Sequence, residues 1–406
     1  MDYQVYTLEN GIRLVHMDDR SDVAWSGVFV NTGSRDENKH EHGMAHFIEH
    51  ILFKGTKKRR AYHILSRLEN VGGEINAFTT KEETCIYAAF LNEYYDRTLE
   101  LFSDILNNSI FPDKELIREK EVIIDEINSF KDNPSELIFD DFEDQIFKGH
   151  PIGQNILGTA KSIKKFGKKE IEAFMKRNYN TDQMVICSVG NIKFNKLVKL
   201  FRKYFEPIPT NLRTFERKTN YSYNSSNVIQ KKDTNQAHCI IGNLGYDISN
   251  KKRLGLLLLN DILGGYGMNS RLNMSLREKH GYAYNVESNY TPYLDSGILN
   301  IYFGTDRGNI NKSFSLVNSE LNKLMTKKLG TLQLKKAKAQ LMGQIAISKE
   351  SKESQLLSIG KSFLHFNRMD SLLEINRKIE LIGSAELLDI ANEIFNPENI
   401  SSLIYK

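Results

Sequence analysis

Two histidines and a glutamate fall within five residues at His46, Glu49 and His50, inside GMAHFIEHILFKGT (residues 43–56). Met44, Phe47, Ile48, Ile51 and Leu52 recur around them at helical spacing, so the segment is expected to be an amphipathic helix. Residues three and four apart share a helix face, which aims both imidazoles at one point with the carboxylate beside them. Converging imidazoles suit zinc, which bonds nitrogen at ~2.0–2.1 Å and, in a site that does chemistry, leaves one position for water. A carboxylate bound to the metal loses the basicity needed to take a proton, so Glu49 is assigned the role of base, not ligand. The pair would also fit an ordinary amphipathic helix, since His40, His42 and His63 make the whole region histidine-rich. The order H-x-x-E-H, the inversion of H-E-x-x-H, favours the metal.

Two imidazoles leave a third ligand to find. The stretch KELIREKEVIIDEINSF (residues 114–130) supplies acids on a second helix, with Leu116, Lys120, Ile123, Ile127 and Phe130 expected as its buried stripe. Glu119 and Glu126 are seven apart, almost two turns, so both project from the side adjoining that stripe, and spacing does not separate them. Glu121 and Asp125 are expected to be solvated.

The elements that must position these groups are legible on both sides. Tyr3 to Leu8 and Ile12 to His16 alternate around Glu9-Asn10-Gly11 as a hairpin, and Val23 to Asn31 is a further strand. A short helix, Tyr62 to Val71, precedes the strand pair Glu74 to Phe78 and Thr84 to Leu91. Helices over Asn92 to Asn107 and Lys114 to Phe130 follow, and the half closes on the strand Met184 to Val189. Helices mixed with hairpins imply an antiparallel α+β fold, not a doubly wound parallel sheet. The polar stretch from Thr210 to Asn227 is the expected linker, dividing the 406 residues into domains at 1–212 and 226–406. The second half then restarts the programme: EHILFKG (49–55) slides over NDILGGY (260–266), and FMKRNYNTDQMVICSVGN (174–191) over ANEIFNPENISSLIYK (391–406). Under the first alignment His46, Glu49 and His50 fall on Leu257, Asn260 and Asp261, so metal chemistry belongs to the first copy alone.

Bulk properties exclude several other classes. A net charge of +4 over this length, with basic runs such as Lys57-Lys58-Arg59-Arg60 lacking interleaved aromatics, argues against nucleic acid. No apolar run approaches the ~20 residues that cross a bilayer. The first residues, MDYQVYTLENGIRLV, alternate like a strand where a signal peptide would run apolar, which points to the cytoplasm and away from membranes. Cys85, Cys187 and Cys239 have no paired spacing and are expected to be buried thiols.

With LENGIRLV (8–15), NTGSRDE (31–37), GMAHFIEHILFKGT, GGEINAFTTKEET (72–84), EKEVIIDEI (119–127) and GGYGMNSRLNMSLREKHGYAYNV (264–286), the chain resembles the pitrilysin or insulinase family of zinc metallopeptidases. It looks most like the short, two-domain branch of mitochondrial processing peptidase and its bacterial relatives. The resemblance implies one zinc ion per chain, held by His46, His50 and Glu126, with Glu119 supporting the ligands from behind. It implies that Arg277 and Tyr284 of the second half, with Tyr282 a close neighbour in sequence, contact substrate near the scissile bond. It implies that peptide adds as a strand along GGEINAFTT, where Asn76 and Ala77 are the candidate lining residues. It further implies two homologous α/β-sandwich-like halves, each a largely antiparallel sheet with helices packed on it, together half of a clamshell that a homodimer completes. The expected activity is zinc-dependent endopeptidase cleavage of extended peptides in a closed chamber. A non-catalytic assembly or regulatory subunit of the same fold is the rival, and metal content separates the two.

Overall fold

Successive side chains along the strands enter opposite cores in this computed structural model, which describes residues 3–217, 219 and 222–406. Met1, Asp2, Lys218, Asn220 and Tyr221 lie outside the described residues, so the expected first domain and linker are only partly described. The chain divides into two compact units.

The first unit contains a six-stranded sheet, ordered β1-β2-β6-β3-β5-β4, from β1 (Tyr3–Thr7), β2 (Arg13–Asp18), β3 (Val23–Val30), β4 (Glu74–Thr79), β5 (Thr84–Leu91) and β6 (Met184–Gly190). All its pairings are antiparallel except β2 with β6. Leu14, Val28, Ile86 and Ile186 face one core, under α1 (Met44–Ile51), α2 (Ala61–Glu69), α3 (Tyr95–Asn108) and α4 (Asp113–Lys131). The alternate residues Val15, Met17, Phe29, Cys85, Val185, Cys187 and Val189 face the opposite way into a second core, formed with Leu356, Ile359, Phe363 and Leu364 of the helix Lys352–Phe366. Both faces are therefore dry, and β6 (MVICSVG) is buried along its whole length.

The second unit repeats this plan without the first strand. Its sheet is ordered β7-β11-β8-β10-β9, from β7 (Asn227–Gln230), β8 (Ala237–Leu244), β9 (Ala283–Pro292), β10 (Gly297–Thr305) and β11 (Ser401–Tyr405). Again one pair, β7 with β11, is parallel, in the position that β2 and β6 occupy in the first unit. The helix Arg253–Gly264 stands where α1 stands. The opposite face, with Ile240, Tyr302, Leu403 and Tyr405, packs on Ile138, Phe142 and Ile146 of α5 (Pro134–Ile146).

The compact units are thus not the contiguous segments 1–212 and 226–406. Residues 129–153 belong with the second unit and residues 347–371 with the first. A sheet with two apolar faces needs cover on both, and in each unit the second cover comes from the other half of the sequence. Part of the expected linker is also tied down in the first unit: Asn211 donates to the carbonyls of Lys176 and Tyr179, and Arg217 makes a buried two-point contact with Asp36. All three cysteines are free and buried. Among the described residues, no helix is long and apolar enough to cross a membrane.

Candidate metal centre

Helix α1 is short because glycines frame it. Gly43 precedes it at φ +93°, in the left-handed region, and Gly55 follows at φ +154°. Its apolar face, Met44, Phe47, Ile48 and Ile51, is fully buried, which turns His46 and His50 along its flank. Their rings lie 4.7 Å apart between centroids.

Helix α4 supplies the acids, and here the structure separates Glu119 from Glu126. Glu126 brings Oε1 to 3.7 Å from His46 Nε2 and Oε2 to 3.7 Å from His50 Nε2. Ligand atoms of His46, His50 and Glu126 all lie within 4.8 Å of one another, the only such grouping among the described residues. A separation of 3.7 Å is long for a hydrogen bond and close to the ~3.4 Å edge of a tetrahedron with ~2.0–2.1 Å bonds. The spacing therefore fits an ion between the three groups better than direct contact.

Glu119 sits behind. It is 3 % exposed, with Oε2 at 3.3 Å from His50 Nδ1 and Oε1 at 2.8 Å from Lys54 Nζ. Burial pushes its pKa up, but the contacts with His50 and Lys54 outweigh this and hold the carboxyl below the usual range. His50 thus has an outer partner that orients it. Among the described residues His46 has no such partner, since its buried Nδ1 lacks a hydrogen bond. Burial and then the neighbouring His50 lower the His46 pKa to about 4, so the ring is neutral near pH 7 with a lone pair free for a metal.

Glu49 stands beside the trio of His46, His50 and Glu126, not within it. Burial raises its pKa against the opposing contacts with Thr79 and His50, the direction expected of a group that must exchange a proton near neutrality. It opens with His50 onto a cavity of about 250 Å³ walled by Phe53, Leu65, Ile75 and Ala77, with Asn76 at its rim. Asn76 and Ala77 lie on β4, an edge strand whose outer side is unpaired.

Other expectations meet the structure less evenly. His40 and His63 are exposed, and His42 bonds to the carbonyl of Asn155, so none joins the site. Glu121 and Asp125 are solvated, while Lys120 and Phe130 are only half-buried; Glu119 fills the stripe in place of Lys120. Lys54 is Glu119's ion-pair partner, and Arg59, from the basic run Lys57-Lys58-Arg59-Arg60, pairs with Glu100 and Asp104. Thr79, at the end of the GGEINAFT strand, lies close enough to Glu49 to oppose the rise in its pKa. Arg277 lies in the second unit on a widened helical turn over Asn273–Lys279, its side chain half exposed. Tyr284 lies in β9 and is 80 % exposed, whereas Tyr282 is half-buried. In the helix Arg253–Gly264, Asn260 bonds to Ser288 and Asp261 to Gln340, and no imidazole is present.

Comparison with known proteins identifies the family. The family model described as "Insulinase (Peptidase family M16)" matches residues 13–160, and "Peptidase M16 inactive domain" matches residues 165–341. The chain is 31% identical to an uncharacterised zinc protease, YmxG, of Bacillus subtilis, over 98% of this chain and 97% of that one. It is 32% identical to an uncharacterised zinc protease of Rickettsia felis, over 99% and 97%. A protease from Helicobacter pylori shares the fold with a TM-score of 0.92 at 22% identity, covering 100% of this chain and 99% of that one. Sequence likeness over nearly the whole length, with the same two-unit architecture, places this chain in the insulinase family, peptidase family M16.

Proposed function

We propose that the chain is a zinc-dependent endopeptidase that hydrolyses peptides or unfolded segments bound in extended form. The observation that carries this reading is the convergence of His46, His50 and Glu126, from two helices, to within 4.8 Å. Relatives named zinc proteases support the choice of metal. When bound, zinc would acidify water and polarise the substrate carbonyl.

The remaining steps belong to the protein. Glu49, lifted in pKa by burial, accepts the proton released as water attacks and returns it to the departing amine. Substrate lies along the free edge of β4, so that main-chain pairing selects extended conformation and the apolar wall of Phe53, Leu65, Ile75 and Ala77 receives a side chain. Arg277 and Tyr284 are assigned hydrogen bonds to the substrate backbone or developing oxyanion on the strength of their motif; removing one such donor commonly costs ~10²–10³ in rate. One ion per chain and a homodimer that encloses substrate complete the proposal, with the cytoplasm as its location.

Glu49→Gln tests it: zinc content should stay near that of wild type while cleavage of an unstructured peptide falls by at least ~10²-fold. Undiminished turnover in that variant would refute the assignment. A purely structural role would show instead as protein that, supplied with zinc, neither retains it nor cleaves peptide. Sedimentation under assay conditions should give a dimer, and an active monomer would end that part of the proposal.

A further inference from the structure

Glu37 is a buried carboxylate that the catalytic scheme does not use. Its oxygens are both committed to the first turn of α1: Oε2 accepts the N–H of Gly43 and Oε1 that of Ala45, each at 2.8 Å. A helix N-terminus is ordinarily capped by the side chain of the residue just before it. Here that residue is Gly43, which has no side chain and no room for one, since a Cβ would lie 2.8 Å from Gly158 Cα. The cap comes instead from six residues upstream.

Neighbouring acids have cations. Asp36 pairs with Arg217 and Glu41 with Arg177. Among the described residues Glu37 has no cation, and burial drives its pKa well up against the two N–H bonds. Its own segment is rigid, because Ser34 and Arg35 donate backbone N–H groups to the carbonyls of Thr80 and Lys81. The acid is therefore a fixed post to which the start of α1 is tied, and the residue after Ala45 is the ligand His46.

We propose that Glu37 is a positioning residue for the metal centre: by holding the N–H groups of Gly43 and Ala45 it sets the first turn of α1, and with it the direction in which His46 faces Glu126. The helix has only two turns, with a ligand on each, so a small displacement at its start is passed directly to the ligand set. Metal sites tolerate deviations of only about 0.2 Å.

This inference rests on the zinc reading above, and the experiment separates the two. Zinc affinity of Glu37→Gln is measured on folded, metal-free protein by competition with a chromophoric chelator. Glutamine keeps the shape but turns an N–H donor toward one of the two amides, and zinc should bind at least ~10-fold more weakly, as for other residues that orient ligands. Glu83→Gln serves as the control, a buried acid elsewhere in the unit that should lose stability with zinc affinity unchanged within about twofold. Should Glu37→Gln not fold, hydrogen exchange on wild type reads the same coupling, since zinc must slow the amides of Gly43 and Ala45 if their placement governs the site. Glu37→Gln with wild-type affinity and reduced stability overturns the proposal, as do amides whose exchange ignores zinc. Wild type that fails to bind zinc at all fails the metal reading itself.

Discussion

Glu119 and Glu126 are the same residue type on the same helix, yet they have opposite environments. Glu126 is a half-exposed acid with each oxygen 3.7 Å from an imidazole; Glu119 is buried between His50 and Lys54. The difference leads to distinct outcomes on substitution. Glu126→Ala should reduce zinc to background, whereas Glu119→Gln should leave a site that still loads but binds ~10–100-fold more weakly. Equilibrium dialysis against buffered zinc separates the two, and equal losses would contradict the assignment of roles.

The helix Lys352–Phe366 makes a separable prediction. His365 Nε2 and Lys361 Nζ lie 2.8 Å and 3.2 Å from the same oxygen of Glu83. Burial alone would raise the Glu83 pKa, but the contacts with His365 and Lys361 bring it below the ordinary value. A folded pKa below the unfolded one means the contribution is complete above about pH 4.5 and disappears as pH falls through the folded value. Wild type should therefore lose more stability between pH 5 and pH 3 than Glu83→Gln does, while at pH 7 the variant should be less stable by about 2 kcal/mol. Urea titrations at several pH values check this, and parallel pH curves would contradict it. On the same helix, Gly360 faces the ring of Phe29, and a Cβ would collide with it. Gly360→Ala should lower the urea midpoint, because overpacking of ~1–3 kcal/mol exceeds the ~1 kcal/mol of helix propensity gained.

At the scale of the whole molecule, the reciprocal placement of α5 and the helix Lys352–Phe366 means that neither half of the sequence carries a complete core. Residues 1–212 expressed alone should aggregate or unfold without a cooperative transition, because Val15, Met17, Phe29, Val185 and Val189 would face water. Co-expression with residues 213–406 should restore soluble protein. A cooperative melt of the isolated first half, followed by circular dichroism, would contradict the exchange.

Much of this was present in the amino-acid order. The hairpin at Glu9-Asn10-Gly11, the strands over 23–31 and 84–91, the two long helices and the H-x-x-E-H turn all follow from local periodicity and turn chemistry, which act between near neighbours. The duplication was legible too, because each copy must bury the same faces. Three things were not. Choosing Glu126 over Glu119 from the residues alone was impossible, since seven residues are nearly two whole turns and only the position of α1 distinguishes the two acids. Nothing near Lys54 in the sequence marks it as the partner of Glu119. The helix exchange left no local signal, because an amphipathic helix carries the same pattern whichever sheet it covers. Chemistry encoded within one helical turn could be read directly; the partner that completes it, and the sheet each helix covers, depend on contacts tens to hundreds of residues apart that only the folded chain creates.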